Sequence, residues 1–288
     1  MSIMDLVSDF FAPGAKSGKY DPLAKSGSSE FGFRARRFAN VQRLIQTVLD
    51  EKGECSILDV GGTEKYWQVG GDFVRRNRGR LRITLVNLEV EAIDDRVLFE
   101  SIEGDATDPD LCGARRFDLV HSNSVIEHVG RDRMPAYADN VRRLAPRYFV
   151  QTPNYWFPFE PHFRLPAFQY LPASARAAII RRFAVGFFDK VPDPAEARMV
   201  IKHHDMIGAR QMRRFFPDGE IRFERFAGLN KSVMAIRAEP AELDRCGRFG
   251  IADVPSLDAC DDLVALDPAA VCPAKAAARQ FEWDRPRP

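Results

Sequence analysis

The chain has 288 residues, a formal net charge of +1 and 45% hydrophobic residues, which suits one large globular core or a domain with appendages. The charge balance, with no polybasic block, disfavours nucleic acid as an electrostatic partner. No apolar run approaches the ~20 residues that a membrane helix needs, and no basic region precedes the first apolar residues as in a signal peptide. The sequence therefore predicts no membrane span.

The five cysteines are scattered through the chain without a C-x-x-C pair. An odd, unpatterned set in a chain of this size indicates reduced thiols and hence a cytoplasmic protein. The same lack of pattern predicts no metal site.

The first segment with a clear pattern is a helix. Residues 1–27 lack periodicity and are predicted to form a flexible N-terminal arm. From Ser28 to Lys52, apolar residues recur on one helical face. Arg34, Arg36 and Arg37 are expected to form a solvated face of this helix, with a substrate-facing role for one of them as the alternative.

A buried strand running into a glycine turn comes next, within Ser56–Lys65. Its apolar residues flank Asp59 and are followed by Gly61, Gly62 and Thr63. Glycine lets a backbone come close to a ligand because it has no Cβ. In an open α/β sheet, the carboxyl end of the first strand is where nucleotide-like ligands bind.

Strands and helices then alternate, which is typical of a parallel, doubly wound sheet. Thr63–Arg78 is predicted to be a helix or a broken helix, because Gly70 and Gly71 weaken its middle. Ser124–Ala145 is predicted to be helical, with an interruption near Gly130 and Pro135. The predicted strands are Leu81–Glu89, Leu98–Asp105, Arg116–His121 and Tyr148–Thr152. Two of these strands end in an acidic residue, Glu89 and Asp105.

The character of the sequence changes after Pro153. Asn154–Pro172 is dense in aromatics and proline and is predicted to be a structured loop over the carboxyl edge of the sheet. One helix is expected in Ser174–Val185 and one or two in Pro194–Phe216. Glu220–Phe226 and Ser232–Arg237 then predict an antiparallel strand pair. Residues 239–288 are expected to form a weakly structured tail.

Five motifs in this order, ILDVGG, LVNLE, GDATD, FDLVHSNSVIEHV and YFVQTPN, resemble the class I S-adenosylmethionine-dependent methyltransferases over about residues 28–155. The resemblance implies a Rossmann-like α/β fold with a seven-stranded, mostly parallel, doubly wound sheet. It implies a methyltransferase domain at 28–238 with an aromatic-rich cap and substrate segment at 154–216. It also implies S-adenosylmethionine as cofactor and a small-molecule acceptor as partner.

The resemblance assigns cofactor-binding roles to nine residues. Asp59, Gly61, Gly62 and Thr63 line the amino-acid end, Glu89 holds the ribose diol, Asp105 and Ala106 meet the adenine, and Ser122 and Asn123 lie near the sulfonium. The family's D-x-G-x-G-x-G loop is altered here, because Thr63 and Lys65 replace glycines. The Thr63 hydroxyl is one substitute for the lost backbone contact.

A hydroxyl or amine acceptor also needs a base to remove its proton. His162 is the favoured candidate, with Glu160 orienting it and Asn154 donating to an acceptor oxygen; the alternative is that these residues only fill an apolar lid. His121 is expected to pack in the core, and His128 to have a structural or cofactor-side role. His203 and His204 are either a surface pair or a His–carboxylate pair with Asp205.

Together these features predict a methyltransferase acting on a hydroxyl or amine of a small molecule, such as a secondary metabolite or a lipid-linked or glycan-type acceptor. The alternative is a non-catalytic, methyltransferase-like binding or scaffold protein, which the altered glycine loop favours. A nicotinamide-dependent reductase is disfavoured, because G-x-G-x-x-G does not follow the first strand.

Overall fold

The computed structural model describes residues 29–239. The predicted arm at 1–27 and all but the first residue of the tail at 239–288 lie outside the described residues. The chain divides into two compact units. In the described range, we call Phe33–Phe157 with 205–239 the sheet unit, and Pro158–His204 with residues 29–32 the insert unit.

The sheet unit contains the first helix from Phe33 onward, seven strands and three further helices. The helices are α1 (Ser29–Lys52), α2 (Gly71–Arg76), α3 (Met134–Leu144) and α6 (Ala209–Phe215), counted along the whole described chain. The strands are β1 (Cys55–Val60), β2 (Leu81–Asn87), β3 (Phe99–Glu103), β4 (Leu119–Asn123), β5 (Arg147–Pro153), β8 (Glu220–Phe226) and β9 (Leu229–Arg237).

The seven strands form one sheet in the order β3-β2-β1-β4-β5-β9-β8. The first five strands pair in parallel, whereas β9 pairs antiparallel with both β5 and β8. The chain moves outward from β1 to β3, returns to β4 on the other side and continues to β8. The predicted doubly wound, mostly parallel sheet is confirmed, and so is the late antiparallel pair.

Apolar side chains cover both faces of this sheet. On one face α1 packs its Phe38, Val41 and Ile45 into a core that also holds Trp67 and Phe149. On the other face, a second core packs α3 and α6 against the strands. Its members from these helices and their ends are Met134, Tyr137, Val141, Leu144, Met212 and Phe216. A sheet buried on both faces explains why its central strands are apolar along their length.

The helical segments predicted after β1 and β4 are both interrupted, near the glycines that predict a weak point in each. After β1 the chain forms a 3-10 helix at Glu64–Gly70 and then α2. The 3-10 helix ends at Gly71, because the φ of +44° there lies outside the right-handed helical range. After β4 only Ile126–His128 forms a 3-10 turn before α3 begins at Met134. Gly130, with φ +84°, separates them.

The insert unit has its own small core. It contains the hairpin strands β6 (Phe159–Glu160) and β7 (Leu165–Pro166), a 3-10 turn at Phe168–Tyr170, and the helices α4 (Ala173–Ile180) and α5 (Pro194–Lys202). Its buried apolar residues are Phe163, Phe168, Ala177, Ile180, Ala197, Val200 and Ile201. The helix predicted at 174–185 extends only from Ala173 to Ile180.

Within residues 29–239, every helix is too short or too polar to cross a lipid bilayer.

Candidate functional site

The ends of β1, β2, β3 and β4 lie side by side at one edge of the sheet. Val60 is opposite both Val86 and Ser122, and Asn87 is opposite Glu103. Because these strands are parallel and adjacent, the residues that follow them emerge at the same carboxyl edge. The structure therefore brings the predicted cofactor-binding residues of the sheet unit to one edge.

The turn after β1 depends on glycine at Gly61. Its φ is +70°, and its amide donates to the Val86 carbonyl at 2.8 Å. A Cβ added at Gly61 would lie 2.5 Å from Cγ2 of Val125. This position therefore needs glycine both for its backbone angle and for the close approach of the loop after β4.

The carboxylate of Asp59 is held beneath the turn by two side chains. Asp59 is 1% exposed; Trp67 Nε1 donates to its Oδ2 at 2.8 Å, and Nδ1 of His121 lies 2.7 Å from its Oδ1. A Cβ on Gly62 would lie 1.8 Å from that same Oδ2. The sequence prediction for His121 is confirmed, since it is 1% exposed, but the pairing with Asp59 and Trp67 was missed. A cofactor role for Asp59 stays a prediction.

Thr63 and Asn87 fix the chain that leaves the turn. Thr63 is the N-cap of the following 3-10 helix, and its Oγ1 accepts from the Tyr66 amide at 3.3 Å. Asn87 donates from Nδ2 to the Gly62 carbonyl at 2.9 Å, which ties the end of β2 to the turn. The Thr63 hydroxyl therefore caps the 3-10 helix, a role that threonine commonly has at the residue before a helix.

The acidic residues after β2 and β3 differ in their surroundings. Glu89 is exposed, two residues beyond the end of β2. Asp105 accepts from the Thr107 amide at 2.8 Å and hydroxyl at 2.7 Å, and it pairs with Arg133 at 3.3 Å. The neighbouring Ala106 carbonyl accepts from Asn140 Nδ2 at 3.0 Å. The Asp105 carboxylate is therefore held in a fixed position by its own turn. The sequence analysis did not predict these hydrogen bonds.

The two residues at the end of β4 have different environments. Ser122 is fully buried, and its Oγ donates to the Val60 carbonyl at 3.1 Å, so it ties β4 to β1. Asn123 is half-buried, and its Oδ1 is buried without a hydrogen-bond partner among the described residues. Ser124 then turns the chain with φ +59°. The Asn123 side chain therefore has an acceptor oxygen that can still take a hydrogen bond, whereas the Ser122 hydroxyl is bonded within the sheet.

Asn154, in the sheet unit, anchors the chain after β5. It is 4% exposed; its Nδ2 donates to the Asn230 carbonyl at 2.8 Å, and its Oδ1 accepts from the Trp156 amide at 3.3 Å. The nitrogen and the oxygen of the Asn154 side-chain amide are therefore both hydrogen-bonded to backbone groups. Donation from Asn154 to an acceptor oxygen stays a prediction.

His162 and Glu160 form a close pair within the insert unit. His162 Nδ1 lies 2.7 Å from Glu160 Oε1, and the other carboxylate oxygen accepts from the Phe163 amide at 2.5 Å. A carboxylate oxygen accepts hydrogen bonds, so Nδ1–H of His162 is the donor in this contact. The His204 ring lies 4.9 Å from the His162 ring, and its Nδ1 bonds the Val200 carbonyl at 2.7 Å. The predicted orientation of His162 by Glu160 is thus geometrically present.

A buried ion-pair cluster joins α1 to the strand pair β8–β9. Arg37 Nη1, Lys231 Nζ and Ser232 Oγ all reach Oε2 of Glu224, at 2.9, 3.3 and 3.0 Å. Burial raises the pKa of Glu224, but the charges of Arg37 and Lys231 and the Ser232 bond outweigh it, and the net pKa is lowered. The prediction that Arg37 belongs to a solvated face is wrong, because Arg37 is 5% exposed. No local pattern in α1 could signal a partner 187 residues away.

A shallow groove of about 840 Å³ runs along the free edge of β3. It is lined by Arg82, Arg96, Arg115, Glu91, Glu100 and nearby apolar residues. Arg115 pairs with Glu100 at 2.7 Å. None of the predicted site residues lines it.

No protein-family model matches the chain. Over 60 residues it is 37% identical to Uncharacterized protein Rv1509 of Mycobacterium tuberculosis, and the match spans 20% of this chain and 20% of that protein.

Among solved structures, the chain is similar to an O-methyltransferase family protein from Burkholderia thailandensis, with 13% identity, 72% of this chain and 61% of that one covered, and a TM-score of 0.39. It is similar to LepI in complex with SAM, with 9% identity, 68% and 46% coverage, and a TM-score of 0.41. It is similar to the small RNA methyltransferase HEN1, with 16% identity, 69% and 25% coverage, and a TM-score of 0.37. The strand order itself shows that this chain has the Rossmann-like, doubly wound fold that its resemblance to class I methyltransferases predicts.

Proposed function

We propose that this protein is an S-adenosylmethionine-dependent methyltransferase that acts on a hydroxyl or amine of a small-molecule acceptor. The observation that carries the proposal is the carboxyl edge of the sheet. There, a turn that needs glycine after β1 is followed by acidic residues after the adjacent strands β2 and β3. Such an edge suits an adenosine-containing ligand.

In this proposal the cofactor runs along that edge. Gly61, Gly62 and Thr63 face its amino-acid end, Glu89 accepts from the ribose hydroxyls, and Asp105 accepts from the adenine amino group, beside Ala106. The bonds from Thr107 support the Asp105 role, because they fix its carboxylate before any ligand arrives. Asn123 lies at the end of β4, where the family places the sulfonium, and Ser122 and Asp59 support the same edge from below.

A titration tests the cofactor assignment. The proposal expects S-adenosylmethionine to bind the full chain and nicotinamide nucleotides not to bind. Replacing Asp105 with Asn is expected to weaken S-adenosylmethionine binding about tenfold or more, because a charge-assisted hydrogen bond to the adenine is lost. Isothermal titration calorimetry measures both results.

The matched control is Glu103→Gln, which changes an exposed acid at the end of the same strand, β3. It should leave the affinity within about twofold, since exposed charges contribute little. Equal affinities for the wild type and Asp105→Asn would remove Asp105 from the cofactor site.

The chemistry requires alignment and one proton acceptor. S-adenosylmethionine supplies a methyl group already activated by its sulfonium, so that a new bond from the acceptor oxygen or nitrogen to the methyl carbon forms as the carbon–sulfur bond breaks. We assign His162 to take the acceptor's proton at Nε2. Glu160 holds Nδ1–H and stabilises the imidazolium that results. The acceptor proton thus ends on His162, and S-adenosylhomocysteine leaves.

His162→Ala is expected to lower turnover by about 100-fold or more and to leave S-adenosylmethionine affinity unchanged, because general base catalysis contributes roughly 10²–10⁴-fold. A tritiated-methyl assay measures turnover, and calorimetry measures affinity. His203→Ala, at the C-cap of α5 in the same unit, is the matched control and should keep turnover within about twofold of the wild type. Unchanged turnover in His162→Ala would end the proposed base role.

A non-catalytic binding protein is the second candidate, and one observation favours it. Both carboxylate oxygens of Asp59 are engaged by Trp67 and His121, and Thr63 and Lys65 replace glycines in the loop. Absence of S-adenosylmethionine binding in the titration above would select this candidate over the enzyme.

A further inference from the structure

The loop between β2 and β3 carries Glu89 and has no regular structure of its own. Residues 88–98 are all described, and none of them lies in a helix or a strand. A connection between parallel strands usually contains a helix, whose backbone hydrogen bonds give it a fixed shape. Side chains from outside this loop therefore have to fix its position.

Glu64 binds the loop with both oxygens of its carboxylate. Its Oε2 accepts from the Asp94 amide at 2.7 Å, and its Oε1 accepts from the Asp95 amide at 3.1 Å. Hydrogen bonds to an ionised acceptor are about twice as strong as those between neutral groups. Because two consecutive amides meet one carboxylate, both the position and the direction of this part of the backbone are fixed.

Glu64 itself belongs to an element that is well anchored in the sheet unit. It is the first residue of the 3-10 helix that follows the glycine turn, and Thr63 caps this helix. Trp67 lies in the same 3-10 helix, is 1% exposed and donates to the buried carboxylate of Asp59 at 2.8 Å. A loop that is bound to Glu64 therefore keeps a fixed place relative to the glycine turn.

The segment that carries Glu89 is attached to the glycine turn on both of its sides. Before Glu89, Asn87 donates to the Gly62 carbonyl at 2.9 Å. After Glu89, the two loop amides donate to the Glu64 carboxylate. Fixing both ends of a short segment lowers the number of backbone conformations that the residues between them can adopt. The two attachments thus restrict where the Glu89 carboxylate can lie.

We propose that Glu64 is a positioning residue for the ribose of the methyl donor. This assignment rests on the proposed methyltransferase function, in which Glu89 accepts from the ribose hydroxyls. Glu64 acts through the loop: it holds Glu89 at the ribose while the glycine turn faces the amino-acid end of the same cofactor. A site whose two parts are fixed before the ligand arrives loses less conformational entropy on binding.

Glu64→Gln tests the loop contact first, in the full chain without cofactor. Glutamine has nearly the same shape but only one acceptor oxygen, so one of the two loop amides loses its partner. Hydrogen–deuterium exchange of the amides in residues 88–97 should become faster by about fivefold or more, because a lost hydrogen bond makes local opening easier. Mass spectrometry of the peptides that cover this loop measures the rate.

Calorimetry of the same variant tests the positioning role. We expect Glu64→Gln to weaken S-adenosylmethionine binding by about fivefold or more, because the loop is no longer fixed before binding. Glu64→Asp keeps the negative charge but is one methylene shorter, and we expect a similar loss. Wild-type affinity in Glu64→Asp would mean that the charge of Glu64 attracts the cofactor, and it would overturn the positioning role.

The matched control is Glu54→Gln, which removes an exposed acid just before β1. It should change both the exchange rate of the loop and the affinity by less than about twofold.

A double-mutant cycle separates positioning from a general structural effect. If Glu64 acts through Glu89, Glu64→Gln should change S-adenosylmethionine affinity by less than about twofold when Glu89 is already replaced by Gln. The same loss in both backgrounds would show that Glu64 only supports the fold, and it would overturn the proposal.

These measurements also separate the inference from the proposed function. If S-adenosylmethionine binds the wild type and Glu64→Gln equally well, the positioning role fails while the proposed function stands. If S-adenosylmethionine does not bind the wild type, the proposed function fails and the positioning role fails with it. Faster exchange in Glu64→Gln would then identify a loop contact that serves the fold alone.

Discussion

Replacing Glu224 with Gln is expected to lower the free energy of unfolding by about 3–5 kcal/mol, because it leaves Arg37 buried without its carboxylate. Glutamine has nearly the same shape, so the loss reports charge and hydrogen bonding and not packing. Urea unfolding followed by circular dichroism measures the change. Glu220→Gln, an exposed acid on the same strand, is the control and should change the free energy by less than about 1 kcal/mol.

The Glu224 pair also predicts an acid sensitivity. The pKa of Glu224 is lower in the folded protein than its ordinary value of about 4.3 in an unfolded chain. A lowered folded pKa stabilises the protein above the unfolded pKa, and that stabilisation is lost as the pH falls below about 4 toward the folded pKa. The wild type should therefore lose stability more steeply than Glu224→Gln between about pH 4 and pH 2. Parallel curves for the two proteins would contradict a stabilising Arg37–Glu224 pair.

Gly62→Ala is expected to destabilise the protein by about 3 kcal/mol or more, at the upper end of overpacking effects. The added Cβ would lie 1.8 Å from Oδ2 of Asp59. That carboxylate has nowhere to move, because Trp67 and His121 hold its two oxygens. The glycine turn has to shift instead, so we also expect S-adenosylmethionine binding to be lost. Thermal unfolding and calorimetry measure the two effects.

Gly79→Ala is the matched control for this substitution. Gly79 is exposed and a Cβ there meets no atom within 4 Å, so stability should change by less than about 1 kcal/mol. A second test is the Gly62→Ala change in an Asp59→Ala background. If the collision with Asp59 is the cause, Gly62→Ala should cost at most about 1 kcal/mol there; an undiminished cost would refute it.

The sheet was predictable because its signals are local. Runs of apolar residues ending in Asp, Glu or Gly define β1, β2 and β3, and the alternation with helices implies a parallel order. The antiparallel β8–β9 pair followed from its short connection. The interruptions of the helical segments after β1 and β4 were predictable as well, because glycine weakens a helix, and Gly71 and Gly130 both take positive φ.

The side-chain partners of the site were not predictable, because they depend on contacts between distant segments. The interval from Asp59 to His121 is 62 residues, and nothing in the sequence of either strand indicates that they pair. Register explains it afterwards, since Asp59 and His121 are direct neighbours across β1 and β4. Arg37 was misjudged for the same reason, whereas the Glu160–His162 pair was found because only one residue separates them.

The ion pair between Arg37 and Glu224 has a consequence for synthesis of the protein. The two partners are 187 residues apart, so the first helix leaves the ribosome long before its carboxylate exists. At 5–20 residues per second, that delay is about 10–40 seconds. During this time Arg37 lacks the carboxylate that it pairs with in the folded protein. The first helix can therefore pack its apolar face on the early strands before its buried cation is neutralised.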